Sequence, residues 1–117
     1  MKIVYVSHSS DFRLKKELYN VLKKIPKVTF IFPDDSQNSK NIIKGSTVII
    51  AEVSKPSHGV GIEMGWANAF KVPIIFVHKK GSRTSPSLSF VSDNFIEYNK
   101  IEDIQKPLES YLRGRFY

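Results

Sequence analysis

Apolar residues recur along the chain in two alternating periods. Short runs rich in β-branched residues stand at Lys2–Val6, Val28–Phe32, Thr47–Ala51, Ile74–Val77 and Phe95–Tyr98. Each is bounded by turn residues, and Thr47–Ala51 has the pattern of a buried parallel strand. Segments of helical spacing lie between them. Leu14, Leu18, Val21, Leu22 and Ile25 fall at i, i+4, i+7, i+8 and i+11 and predict an amphipathic helix, with Ser10 or Asp11 as N-cap and Pro26 as its stop. Residues Lys40 to Lys44 predict a short helix closed by Gly45 at C′. A third helix follows a Gly-rich turn, sets Ile62, Trp66, Ala69 and Phe70 on one face, and runs to about Lys71. The last carries Leu108, Tyr111 and Leu112, with Pro107 in its first turn. His78 to Ser89 reads as a long loop, a length often used for lids and binding loops.

Strands that alternate with helices predict a parallel sheet covered on both sides. The expected fold is an α/β three-layer sandwich, flavodoxin-like or Rossmann-like, with about five parallel strands in a single domain over residues 1–117. Ligands of such sheets sit at the carboxyl ends of the strands, where the strand order reverses. The turns after the first strand (Ser7 to Ser10) and the third (Ser54 to Gly61) would then share one crevice.

Composition narrows the classes. With 41% hydrophobic and 25% charged residues the chain has an ordinary globular make-up. It has no cysteine, which removes disulfides, thiol nucleophiles and Cys metal sites. No His pair has metal-ligand spacing, so neither a metal nor a cofactor is implied. The apolar run Val72–Val77 is far too short to cross a bilayer, and the first residues read as a strand rather than a signal peptide. No membrane partner and a cytoplasmic location are the expectations. The net charge of +7 is scattered, with no basic run longer than two residues. That argues against a nucleic acid polymer and supports only a general attraction for small anions.

The candidate chemistry gathers after the third strand. A strand feeding a turn with Pro56, Ser57, Gly59 and Gly61, and then a helix, is a common way to hold an anion. Glu63 adds a potential nucleophile or base beside it. The helix macrodipole would favour its ionised form, although a first-turn glutamate can equally complement the dipole from solvent. Gly59, Gly61 and Gly65 each cost about 1 kcal/mol relative to alanine in a helix, and make sense where something approaches the backbone. Ser57 can cap the helix or donate to a phosphate. His8 and His58 border the crevice. Asp34 and Asp35 follow the second strand, as turn formers or as groups reaching the pocket. Glu52 is either an edge residue or a supporting partner. Tyr5 is either core or tips its hydroxyl into the pocket.

The pattern Ala51-Glu52-Val53-Ser54-x-Pro56-Ser57-x-Gly59-Val60-Gly61-x-Glu63-Met64-Gly65-x-Ala67 resembles the signature of the nucleoside 2-deoxyribosyltransferase superfamily. Its nearest branch is that of the 2'-deoxynucleoside 5'-monophosphate N-glycosidases. The opening Val4-Tyr5-Val6-Ser7-His8-Ser9 is similar to that family's first strand and the turn that faces the sugar or phosphate. The resemblance implies cleavage of an N-glycosidic bond, with Glu63 attacking the anomeric carbon to form a glycosyl ester and water or a second base as acceptor. It further implies that Tyr5, Ser7, His8, Ser9, Ser57, Gly59 and Gly61 bind substrate, Ser57 at the 5'-phosphate. The partner is then a small nucleoside or nucleotide. Ser85 or Ser87 would correspond to a serine lent by the other subunit of a homodimer.

The family places an aspartate about two dozen residues before the nucleophile, and here that position is Ser39. Asp34 or Asp35 can stand in from the same loop as the second catalytic carboxylate. Otherwise the domain is a non-catalytic nucleotide binder or sensor that has lost its acid. A third reading comes from Val4 to Asp11, which is similar to the opening of Toll/interleukin-1 receptor domains and would imply NAD glycohydrolase chemistry.

Overall fold

The β-branched runs pair into one sheet. The computed structural model describes residues 2–34 and 38–116. In it β1 (Lys2–Ser7), β2 (Val28–Ile31), β3 (Val48–Glu52), β4 (Ile74–Lys79) and β5 (Phe95–Tyr98) form a single five-stranded sheet in the order β2-β1-β3-β4-β5. Every pairing is parallel, with Val4 opposite Val48 and Ile50 opposite Ile75 at the centre. This is the flavodoxin-like order, with its switch point between β1 and β3.

The central strand β3 is buried at all five positions, Val48 to Glu52. Its side chains alternate between two cores, as a parallel strand sandwiched between helices must. On one side α1 (Lys15–Lys23) and α4 (Gln105–Phe116), with the 3-10 turn Ile101–Ile104, cover Val4, Val6, Ile50 and Val77 through Leu18, Leu22, Ile104, Leu108 and Leu112. On the other, α2 (Ser39–Lys44) and α3 (His58–Ala69) bring Ile43, Val60, Met64 and Ala67 against Tyr5, Ile49, Ala51 and Phe76. Burying one such large aliphatic side chain is worth about 1.5–3 kcal/mol, so both layers are firmly held.

Four details differ from the pattern-based expectation. The first helix starts at Lys15 with Leu14 at the cap and no side-chain capping bond, so neither Ser10 nor Asp11 is the cap. The Asp11 carboxylate is instead taken by the Ser9 hydroxyl, 2.8 Å away. Gly45 has φ −91° and does not adopt the left-handed conformation expected of a C′ glycine. The segment after β4 is not one long loop: the strand runs on to Lys79, and a 3-10 turn occupies Pro86–Phe90. In α3 the buried stripe is Val60, Met64 and Ala67, while Ile62 is 55% exposed. Of the expected face, Ile62 and Ala69 are exposed, while Trp66 and Phe70 are half-buried and pack against the core beside that stripe. No helix among the described residues is long and apolar enough to cross a membrane.

Candidate active site

Ser57 sets the start of α3. Its backbone is extended and its hydroxyl accepts from the Val60 N–H at 3.4 Å, capping the helix as its residue type favours. Counting from His58, Glu63 is the sixth residue of α3, beyond the first turn in which the macrodipole acts. Hydrogen bonds hold it instead. The Tyr5 hydroxyl donates to Glu63 Oε2 at 2.8 Å, and the Ser7 hydroxyl donates to Oε1 at 2.6 Å. Both donors come from β1, the strand beside the switch point, and Ser7 is fully buried. The carboxylate is therefore fixed at both oxygens by a rigid element.

Tyr5 fills both roles that its position allowed. Its ring is 2% exposed in the core beneath α3, and its hydroxyl reaches the carboxylate. Burial pushes its phenol well above the ordinary value, and the hydrogen bond and negative charge of Glu63 push the same way. The Ser39 hydroxyl, hydrogen-bonded to Tyr5, opposes them weakly.

Glu63 opens into a cavity of about 620 Å³ lined by Tyr5, His8, Ser10, Lys15, Tyr19, Pro33, Asp34, Ser39, Ser57, Gly59 and Glu63. That volume suits a ligand of nucleotide size. Lys15 and the start of α3 place positive charge and N–H groups along it. Within it, His8 lies 2.8 Å through Nδ1 from the Ser9 carbonyl and 2.6 Å through Nε2 from the Tyr19 hydroxyl. Tyr19 packs on Phe32 with ring centroids 4.0 Å apart. Among the described residues no group of three His, Cys, Asp or Glu is placed to hold a metal ion.

The chain superposes on the CMP N-glycosidase of Clostridium botulinum with a TM-score of 0.71 at 24% identity, over 92% of this chain and 99% of that one. On the 2-deoxyribosyltransferase of Bacillus psychrosaccharolyticus the TM-score is 0.68 at 15% identity, over 88% and 90%. In sequence it is 32% identical over 74 residues to a Syntrophotalea carbinolica protein described provisionally as 2'-deoxynucleoside 5'-phosphate N-hydrolase 1. The match takes in 60% of this chain and 51% of that protein, so the chain spans about half the length of this curated relative. The chain resembles the nucleoside 2-deoxyribosyltransferase superfamily. No family model matches it.

Against the superfamily pattern, the fold draws together Tyr5, His8, Asp34, Ser57, Gly59 and Glu63 around one cavity, with Ser7 behind the carboxylate. Asp35 lies outside the described residues. Ser9, Gly61, Ser85 and Ser87 do not line this cavity. Ser9 borders a separate hollow across the sheet, beside Glu52 and Tyr98. Gly61, Ser85 and Ser87 line an apolar groove of about 480 Å³ between α3 and the Pro86–Phe90 turn. A Cβ at Gly59, Gly61 or Gly65 would meet nothing within 4 Å, so no contact within the chain requires these glycines. Glu52 is a supporting partner on the opposite face: its carboxylate accepts from Ser54 N–H, Ser54 Oγ and Tyr98 Oη at 3.0, 2.6 and 2.6 Å. The sequence reading missed Tyr19 and Lys15. A phenol beside the buried Leu18, on the helix that leaves the crevice, was the available signal for Tyr19.

Proposed function

We propose that this chain, acting as a single domain, cleaves the N-glycosidic bond of a nucleoside or (deoxy)nucleoside 5'-monophosphate, with Glu63 as nucleophile. The observation that carries this reading is the pinning of both Glu63 oxygens by Tyr5 and Ser7 at the wall of a nucleotide-sized cavity. A carboxylate held in this way attacks the anomeric carbon without first reorganising. The carbon–nitrogen bond breaks, a glycosyl ester of Glu63 forms, and water or another base then attacks the same carbon to free the carboxylate. The relatives' activities, cleavage of CMP and deoxyribosyl transfer, support this class of substrate. Ser57, Lys15 and the first N–H groups of α3 would receive the 5'-phosphate.

Incubation with a panel of nucleosides and 5'-monophosphates should release free base, and Glu63→Ala should abolish the release. Removing the 5'-phosphate should raise KM, and an unchanged rate would contradict the phosphate site. Tight nucleotide binding with no base released from any substrate would favour the second reading, a binding domain, which rests on Ser39 standing in the cavity where the superfamily keeps an aspartate. We also propose a cytoplasmic homodimer whose contact uses the apolar side chains Ile62 and Phe90, which are 55% and 87% exposed. Sedimentation of wild type against Ile62→Asp tests this, since an unchanged monomer in both would remove it.

A further inference from the structure

Breaking a carbon–nitrogen glycosidic bond leaves an electron pair on the base, and a base that departs neutral must take a proton. The cavity offers few sources for it. A serine hydroxyl such as that of Ser39 does not give up its proton near neutral pH. Asp34 is exposed, on the loop after β2, and enters the test as the rival donor. The Tyr5 proton is engaged on Glu63. Lys15 is the cation assigned above to the 5'-phosphate, which leaves the half-buried pair His8 and Tyr19.

Their geometry fixes where the protons are. A carbonyl oxygen only accepts, so the 2.8 Å contact to Ser9 O keeps a proton on His8 Nδ1 in either charge state. Exchange is confined to Nε2, which lies 2.6 Å from Tyr19 Oη. With the ring neutral, Tyr19 donates to Nε2. With the ring protonated, Nε2–H donates to Tyr19, and the phenolic hydrogen is released to another acceptor. Phe32 against Tyr19 and Phe12 against His8, at 4.0 and 5.6 Å between ring centroids, hold both rings in place.

Building on the proposed N-glycosidase reading, we propose that Tyr19 protonates the departing base and that His8 supplies the proton through it. As the bond from the anomeric carbon to the base breaks and the bond to Glu63 forms, the phenolic proton of Tyr19 passes to the base nitrogen. The Nε2 proton of the His8 imidazolium passes to the Tyr19 oxygen. Tyr19 begins and ends as a neutral phenol. The positive charge lost at His8 matches the negative charge lost when Glu63 becomes an ester, so the site's net charge is the same before and after. Attack of water then reverses the relay: one water proton returns through Tyr19 to His8, the hydroxyl stays on the sugar, and the Glu63 carboxylate is restored. Burial raises the Tyr19 phenol above its ordinary value, which suits a group that passes a proton without storing charge. Tyr19 is the catalytic acid, and His8 is the positioning residue and proton reservoir behind it.

The test compares two leaving groups on one sugar: a natural 5'-monophosphate, whose base needs a proton, and the 4-nitrophenyl glycoside 5'-phosphate, whose phenolate departs unaided. Tyr19→Phe keeps the ring and removes the relay. It should lower kcat on the natural substrate by about 10²–10⁴-fold, the usual range of general acid assistance, with KM little changed. On the nitrophenyl substrate its effect should be at least ten times smaller. His8→Gln, which keeps a polar side chain but cannot cycle a proton, should show the same split. Equal losses on both substrates would mean a structural role and overturn the proposal. So would no loss on either, or a selective loss in Asp34→Asn that Tyr19→Phe lacks. If wild type turns over neither substrate, the N-glycosidase reading itself fails and the relay falls with it. Glu63-dependent release of nitrophenolate without the split would leave that reading standing and remove the relay alone.

Discussion

Two tyrosines reach glutamates from opposite faces of one sheet, and the two pairs divide the work. Tyr5 holds Glu63 at the cavity wall, and Tyr98 holds Glu52 in the core beneath α1 and α4. Burial is the first cause that lifts both phenols above their ordinary range, and the hydrogen-bonded carboxylate is the second. The consequences of losing each should differ. Tyr98→Phe leaves a carboxylate that is 5% exposed short of one donor, at a cost of about 1–3 kcal/mol. Urea denaturation should show that loss, while base release per folded molecule stays at the wild-type rate. Tyr5→Phe removes a bond to the proposed nucleophile, and kcat should fall roughly 10-fold or more, because bonds to charged groups are worth about 1.5–3 kcal/mol. Glu63 could be singled out in the sequence because a long local pattern surrounds it. The Glu52–Tyr98 bond could not, since its partners are separated by 46 positions and meet only through the register of β3, β4 and β5.

At the scale of the element, α3 shows why local reading succeeded at one end and failed along the face. Ser57 was legible as a cap because its side chain bonds its own helix. The glycines that follow suggested a turn, yet the backbone is helical from His58, since burial of Val60, Met64 and Ala67 offsets their poor propensity. The far end follows a Schellman pattern, in which Lys71 N–H bonds Asn68 O at 3.1 Å and Val72 N–H bonds Ala67 O at 2.9 Å. That motif places Lys71 at φ 60°, a left-handed conformation costly for a side chain with a Cβ. Lys71→Gly should relieve it. After glycine's own entropy cost, the gain should be about 0.5–1 kcal/mol, seen as a Tm a few degrees higher. An unchanged or lower Tm would show that the lysine is not strained there.

For the whole molecule, strand count, parallel pairing and the crevice between the first and third strands all followed from periodicity, because buried parallel strands carry a strong apolar signal. The cavity's composition did not follow. Its walls come from β1, the start of α1, the loop after β2, α2 and α3, and no local spacing reports which polar side chains those segments aim inward. The two bonds that hold Glu63 span 58 and 56 positions of sequence. They cannot close until β1 and β3 have paired and α3 has docked across them, which are the non-local steps that slow folding in parallel sheets. A refolding chain should therefore gain helix early and remain inert, and its activity should return together with the docking of α3. Trp66, the only tryptophan and a residue of that helix, can report the event. Its fluorescence change and the recovery of base release should share one rate constant, and activity that returns before the fluorescence settles would contradict this order. On the proposed reading, Glu63 is readied only when these distant segments meet, and a partly folded chain would have no means of attacking a nucleotide.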